Sequence, residues 1–318
     1  MNAGAISRRW RELGATAQGL ALFLVALAVV GPWLPVALLT VLVLLLIYAS
    51  WAYSINLITG LTGYVSFGHV VFVGVGAYTL GFLIDTWKVD PLVGVAAGGL
   101  VGAALAGGIG VVTLRLRGVY FAIATLVTPL AAYHIISATP ALGGGAGLFL
   151  NLGFRTLAQY YTLWVLLGAE IGVTWWVTRG RLGAGIRALR DDEDAAAAVG
   201  INVPRLKLEL YMVSGFFAGA AGSVLGWYLS GVFPQASFDL GLSLLMLAMI
   251  VVGGMGTLLG PILGAILVYI PYQLLLRVLP QGQAIVIGVV VIVVALFVPQ
   301  GIVGTIRRYL PEARGFIE

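Results

Sequence analysis

Few side chains in this sequence are of a type and spacing that could do chemistry, and those few lie far apart. The chain holds two histidines, His69 and His134, and no cysteine. Neither histidine belongs to a His-Glu-x-x-His pattern, so the two-imidazole zinc site of a metalloprotease is not encoded. Without cysteine there is no thiolate nucleophile, disulfide framework or cysteine-based metal site. Neither lysine, Lys88 nor Lys207, follows a glycine loop that could cradle a phosphate, so any ATP must be bound by another subunit. Two ionisable groups do sit inside apolar runs. Glu170 lies between Ala169 and Ile171, and His69 ends a Ser-Phe-Gly-His stretch that begins at Ser66. At membrane depth such groups either move protons or permeant, or hydrogen-bond one helix to another. A membrane enzyme would need a convergent set of reactive groups, and the sequence offers none.

The remaining charge is concentrated. Residues 187–207, RALRDDEDAAAAVGINVPRLK, hold eight of the 29 formally charged side chains in a chain that is 61% hydrophobic and 9% charged. Within that stretch Asp191 or Asp192 can cap a helix, with Glu193 and Asp194 in its first turn, where exposed amides favour negative charge. Residues 195–198, all alanine, are strong helix formers, Gly200 supplies a stop, and Pro204 lies beyond it. The pattern predicts a short helix over 191–200 that presents small residues, with flanking charges to fix a register. A solvated loop that happens to be helical fits the same composition.

These residues must be carried by membrane-spanning elements. A globular surface normally carries about a quarter charged residues. Here no Asp, Glu, Lys or Arg occurs in residues 13–84, 91–114, 118–154, 210–238, 240–276 or 278–306, and each run accommodates one or more spans of about 20 residues. Dividing the runs at turn residues and charges predicts an all-α, polytopic transmembrane bundle of about ten spans. They lie near 16–34, 36–57, 66–84, 92–113, 119–138, 160–178, 208–230, 239–253, 259–277 and 282–299. The eighth and ninth flank Gly253, Gly254, Gly256, Gly260 and Pro261, where a re-entrant bend is the alternative to two spans. With a cytoplasmic N-terminus, alternation places 14 of the 17 basic residues on one face and leaves Lys88, Arg155 and Arg277 on the other. That is the positive-inside bias, and it puts both termini in the cytosol and argues against nucleic acid as a partner. Arg8, Arg9 and Arg11 ahead of an apolar stretch read as an uncleaved anchor, because Gly31-Pro32-Trp33 runs straight into a second span.

Smaller features are consistent with this frame. Trp164, Trp175 and Trp176 flank the sixth span as interfacial aromatics do. The uncharged, glycine-rich residues 141–154 form an outer loop, either a flexible connection or a contact for a binding protein. Gly60, Gly63, Gly68, Gly74 and Gly76 permit close helix approach or a broken helix lining a cavity, which makes Gly63, Ser66, Gly68, His69 and Glu170 the translocation-pathway candidates.

Residues 60–78, GLTGYVSFGHVVFVGVGAY, and 116–126, LRGVYFAIATL, closely resemble segments of the M-type permease subunit of branched-chain amino acid ABC importers. Residues 195–207 resemble that family's version of the cytoplasmic loop of binding-protein-dependent permeases, and 251–265, VVGGMGTLLGPILGA, its late glycine-rich stretch. The resemblance covers roughly residues 37–300. After Gly200 the chain lacks the Ile-x-Leu-Pro ending of the broader permease loop, a departure shared with the amino acid permeases.

The resemblance implies one inner-membrane permease domain over 1–318, with no cofactor of its own. Its 179–207 loop would dock on a cytosolic ATPase through Asp191, Asp192, Glu193, Asp194, Ala195, Ala196, Gly200, Pro204 and Lys207. It also implies a second homologous permease, two ATPases that bind the ATP, and an extracytoplasmic solute-binding protein. Leucine, isoleucine and valine are the implied cargo; similar permeases serve urea, short amides and aromatic acids. The competing class is a stand-alone proton-coupled secondary transporter built on Glu170 and His69.

Overall fold

The computed structural model describes residues 15–278 apart from Phe154, isolated positions between 282 and 292, and residues 301–309. α1 (Ala15–Val30) continues into a 3-10 turn, Gly31–Trp33, and α2 (Val36–Ile55) into a π-helical turn, Asn56–Gly60. α3 (Val70–Trp87), α4 (Pro91–Thr113), α5 (Val119–Ser137) and α6 (Thr156–Thr178) follow. Two short helices, α7 (Gly180–Asp191) and α8 (Glu193–Ala198), precede the long α9 (Val203–Leu229). Then come α10 (Pro234–Ser237), α11 (Leu240–Gly253), α12 (Gly260–Val278) and α13 (Gly301–Tyr309). β1 (Leu148–Phe149) pairs antiparallel with β2 (Gly231–Val232), Leu148 opposite Val232.

Each of the first nine predicted spans coincides with a helix. The third starts at Val70 rather than 66, because the chain is still turning through Gly63 and Gly68. The ninth is a helix separate from the eighth, joined to it by a turn in which Gly254 and Gly256 take positive φ. The tenth, 282–299, falls outside the described residues except at isolated positions, and Arg8, Arg9, Arg11 and Arg314 lie outside them altogether. Among the described residues six stretches are long and apolar enough to cross a membrane: Val36–Gly60, Val70–Trp87, Pro91–Thr113, Val119–Ser137, Val203–Leu229 and Pro234–Gly253. Shorter apolar segments lie in α1 and α12. α6 is as long as α4 but stands outside the six, its apolarity diluted by Gln159, Tyr160, Tyr161 and Glu170.

Acids between the apolar runs start helices. Asp90 accepts from Leu92 N at 2.9 Å with Pro91 at the first helical position, and Asp239 accepts from Gly241 N at 2.9 Å. The bundle is organised around α2 and the turn that continues it, where residues 46–62 are buried without a break, as befits a helix surrounded by others. α9 crosses α3 and α4 almost backbone to backbone: a Cβ on Gly76 would stand 2.0 Å from Gly219 O, and one on Gly102 2.4 Å from Gly215 O. Membrane helices associate through such small-residue contacts because lipid competes for larger apolar groups. The charges divide between the two ends of the bundle. Lys88, Asp90 and Arg155 gather near the β1–β2 end, while Arg117, Glu193, Asp194 and Lys207 meet at the other.

Candidate functional site

The charged segment folds as a small unit with a core of its own. Leu189 from α7, Ala196 from α8 and Val203 from α9 pack together, flanked by Ala188, Ile201 and Leu206 and separate from the main core. The short helix expected over 191–200 is present as α8, Glu193–Ala198, set off from α7 by a break at Asp192. Asp192 is extended (φ −156°, ψ 114°), so Asp191 ends α7, while the Asp192 carboxylate caps α8 by accepting from Asp194 N at 2.9 Å and Ala195 N at 3.0 Å. Gly200 stops α8 in the left-handed region (φ +89°), and Asn202 caps α9 by accepting from Arg205 N. What α8 presents outward is Ala195, Ala197, Ala198, Val199 and Gly200, with Val199 76% exposed.

The opposite side of α8 is tied down by charge. Lys207 is 2% exposed, and its Nζ donates to Glu193 Oε1 (2.8 Å), the Tyr64 hydroxyl (2.9 Å) and Leu114 O (3.2 Å). An ammonium has three protons, and all three are used. Tyr64 donates its own proton to Glu193 Oε2, and Lys207 sits 4.2 Å from the Tyr64 ring centre. Outside this pair Arg117 makes a two-pronged contact with Asp194, Nη1 to Oδ2 at 3.0 Å and Nη2 to Oδ1 at 2.9 Å. α8 is therefore fixed to the turn before α3, to the α4–α5 turn and to α9 at once.

Burial works to raise the Glu193 carboxyl, but hydrogen bonds from Lys207 and Tyr64 and the charges of Lys207 and Arg117 outweigh it and hold it below the ordinary carboxylate value. The Arg117 contact lowers Asp194. Burial first, and Glu193 second, push the Tyr64 phenol well up, so it remains a donor across the whole physiological range.

The residues proposed for docking thus divide. Asp191, Asp192, Asp194, Ala195, Gly200 and Pro204 are exposed; Ala196 is 1% exposed within the local core, Glu193 is partly buried and Lys207 is enclosed. Tyr64 and Arg117, which position α8, escape a reading of local spacing because they lie 129 and 77 residues from their partners.

The pathway candidates separate as well. Gly63 (φ +79°) forms the turn that carries Tyr64, and Gly68 lets α5 approach, since a Cβ there would stand 2.1 Å from Thr125 O. Ser66 and His69 are fully buried. His69 Nε2 lies 3.1 Å from Ser54 Oγ and 3.4 Å from Ser214 Oγ. The same hydroxyls lie 2.8 Å from Trp51 O and 2.7 Å from Ser54 O, so His69 closes a polar cluster between α2 and α9. Glu170 is also fully buried and accepts from Ser50 Oγ at 2.7 Å. Ser50 and Ser54 are one turn apart on α2, so both ionisable side chains reach the same stripe of the central helix. Asn56, unremarked in the sequence, joins the π-helical turn to the α11–α12 turn by accepting from Gly256 N (2.8 Å) and donating to Thr257 O (3.3 Å).

A family model described as branched-chain amino acid transport system / permease component matches residues 37–295. The chain is 28% identical to the high-affinity branched-chain amino acid transport system permease protein LivM of Escherichia coli (strain K12), over 92% of this chain and 77% of that protein. It is 28% identical to the ribose import permease protein RbsC of Haemophilus influenzae, over 53% of this chain and 56% of that protein. With LivH of Escherichia coli (strain K12) it shares 26% identity over 52% of this chain and 55% of that protein. No solved structure matches the chain. The apolar helices, the anchored polar segment between α6 and α9, and a family match spanning nearly all of both lead to one conclusion: this chain is an inner-membrane ABC importer permease and belongs to the branched-chain amino acid transport system permease component family.

Proposed function

We propose that the chain forms half of the translocation pathway for branched-chain amino acids or a related small polar solute, and that α8 docks on a separate cytosolic ATPase. In this reading residues 1–318 form one domain of about ten spans with both termini in the cytosol, and 179–207 is its docking loop. A second homologous permease, two ATPases that bind the ATP and an extracytoplasmic solute-binding protein complete the importer. The observation that carries it is the two-sidedness of α8. Its outward surface is small and apolar, suited to close approach by another backbone, while its acidic first turn is bound through Lys207, Tyr64 and Arg117 to three other elements. Displacement of α8 passes to those elements as a rigid-body movement, from which the spans alternate between outward and inward openings. Relatives named for ribose import and for branched-chain amino acid transport both resemble this chain, which supports substrate choice residing mainly in the binding protein.

The carrier alternative needs an acid that alternately meets water on the two sides of the membrane. Glu170 is fully buried against Ser50, which does not favour that role.

Val199→Asp tests the proposal. The side chain is exposed and outside the local core, so the variant inserts and folds normally but co-purifies with the ATPase at least about ten-fold less, the equivalent of about 1.4 kcal/mol. Ala196→Asp is the less informative change, because it collapses the Leu189–Ala196–Val203 core as well. Normal assembly of Val199→Asp, or solute uptake by the isolated chain with no nucleotide-hydrolysing partner, overturns the reading.

A further inference from the structure

A cavity of about 520 Å³ lies between the end of α4 and the start of α9, beside the anchored segment. Its wall carries four cations, Arg115, Arg117, Arg205 and Lys207, against a single acid, Glu193. Lys207 already neutralises Glu193 at 2.8 Å. Arg117 and Arg205 hold exposed pairs with Asp194 and Glu209, contacts that solvent weakens. Arg115 is exposed and has no hydrogen-bond or ion-pair partner among the described residues. Apart from Asn202 the rest of the lining is apolar and includes Val111, Leu114 and Leu208.

Beyond Val111 exposed apolar surface continues along the crease where α4 packs on α9. A Cβ on Gly107 would stand 3.4 Å from the Met212 sulfur, and one on Gly108 would meet nothing within 4 Å. Met212 is 36% exposed and Val111 49%. A cationic cavity at one end of the spans therefore adjoins an exposed apolar track along the helix surfaces toward their middle. A soluble anion would satisfy the cations and leave the track empty. A ligand with an anionic head and a hydrocarbon tail fills both.

We propose that this cavity seats the phosphate of an anionic phospholipid from the cytoplasmic leaflet, with an acyl chain lying along Val111 and Met212. Basic pockets between membrane helices on the cytoplasmic side attract such headgroups. The inference rests on the orientation given above, in which this end of the bundle faces the cytosol. Because Arg117 and Lys207 both line the cavity and hold α8, the bound phosphate contributes to the rigidity of the docking segment.

The assembled transporter, reconstituted in nanodiscs of phosphatidylcholine with a minority of phosphatidylglycerol, is extracted and its retained lipid counted by native mass spectrometry. Arg115→Gln retains phosphatidylglycerol about five-fold more weakly, Arg115→Lys restores it, and Val111→Trp, which fills the crease, lowers retention without touching a charge. Equal retention in wild type, Arg115→Gln and Val111→Trp overturns the proposal. Hydrogen exchange in pure phosphatidylcholine discs supplies a second readout over residues 110–117 and 202–208. Protection by inorganic phosphate as strong as that by phosphatidylglycerol assigns the cavity to a soluble anion, and protection by the ATPase alone assigns it to a protein contact; either result overturns the lipid site. ATPase co-purification is read from the same samples. Intact assembly with unchanged lipid retention defeats only this proposal, whereas a wild-type chain that never holds an ATPase defeats the function on which it rests.

Discussion

The molecule contains two joints built on opposite principles. Where α9 crosses α3 and α4, glycines bring backbones into contact with only small side chains such as Ala106 and Ser223 at the closest points. Where α8 meets the bundle, the contact is made almost wholly by side chains: an enclosed ammonium, a phenol, two carboxylates and a guanidinium. The first kind of joint has a short-range energy that rises steeply with any added atom, so it tolerates no substitution and little sliding. The second is directional and longer-ranged, and it can be weakened one bond at a time. A transporter needs both, since spans must pack as rigid bodies and a coupling element must follow an external partner without losing its hold.

The sharpest way to separate the two joints is Gly76→Val. The new Cβ would overlap Gly219 O, backbone that cannot rotate away, so the cost is at or above the top of the usual overpacking range, about 3 kcal/mol. Thermal unfolding of the detergent-solubilised chain should show a large drop in midpoint or no folded protein at all, and a midpoint near wild type would refute the backbone-contact account. Next in size is Lys207→Met, which removes the cation bonded to Glu193 and Tyr64 and leaves Glu193 only the Arg117 guanidinium, 3.8 Å away. Breaking a fully buried pair costs about 3–5 kcal/mol; since the Glu193 side chain is 20% exposed, about 1–3 is expected here. Adding Glu193→Gln should recover part of that loss, because the stranded charge is removed with its partner. Global unfolding should move less than hydrogen exchange of α8, which is the signature of a local joint.

The same pair gives a pH dependence with a definite sign. The folded-state pKa of Glu193 is lowered, so its contribution is complete above the ordinary value of 4.5 and is lost as pH falls through the lower folded value. Exchange protection of residues 193–198, corrected for intrinsic rate, should be level from neutrality to about pH 5 and decline only below 4.5. A decline centred near pH 6 would point to a histidine instead.

Glu170 tests whether the central stripe of α2 is a joint of the second kind. Glu170→Leu strands the Ser50 hydroxyl and should destabilise by about 1–3 kcal/mol, whereas Glu170→Gln keeps an acceptor in place and should leave both stability and ATP-driven import close to wild type. Loss of import in a stably folded Glu170→Gln would revive a proton-coupling role.

How much of this could be read in advance follows from the range of each interaction. The helices were readable because apolar runs broken by turn residues and charges are local signals, repeated within a few residues. Whether Asp191 or Asp192 capped α8 stayed open in the sequence, since both have a suitable carboxylate; the extended backbone at Asp192 decides it, and that depends on how α7 packs. Lys207 resembled a rim charge because lysine near a helix start is normally solvated. One signal was available: Val203, Lys207, Leu210, Tyr211 and Ser214 recur at helical spacing, and four of those five types suit a buried stripe, which places Lys207 inside it. Tyr64 and Arg117 carried no such mark, because nothing in residues 60–66 or 113–118 encodes which carboxylate will come to lie beside them.

The smallest expected effect sharpens the comparison from the other side. Arg117 and Asp194 make the best-aligned ion pair at the site, with two parallel bonds, yet their side chains are 60% and 76% exposed. Alignment argues for strength, and exposure argues that water and salt already satisfy both partners. Exposure should win: Arg117→Gln is expected to loosen the α8 joint only slightly, less still at high salt, while Lys207→Met keeps its larger effect regardless of ionic strength. Hydrogen exchange of α8 at low and high salt in the two variants separates these outcomes. If Arg117→Gln loosens α8 as much as Lys207→Met, the outer guanidinium and not the enclosed ammonium holds the segment, and the order of importance inferred from burial is reversed.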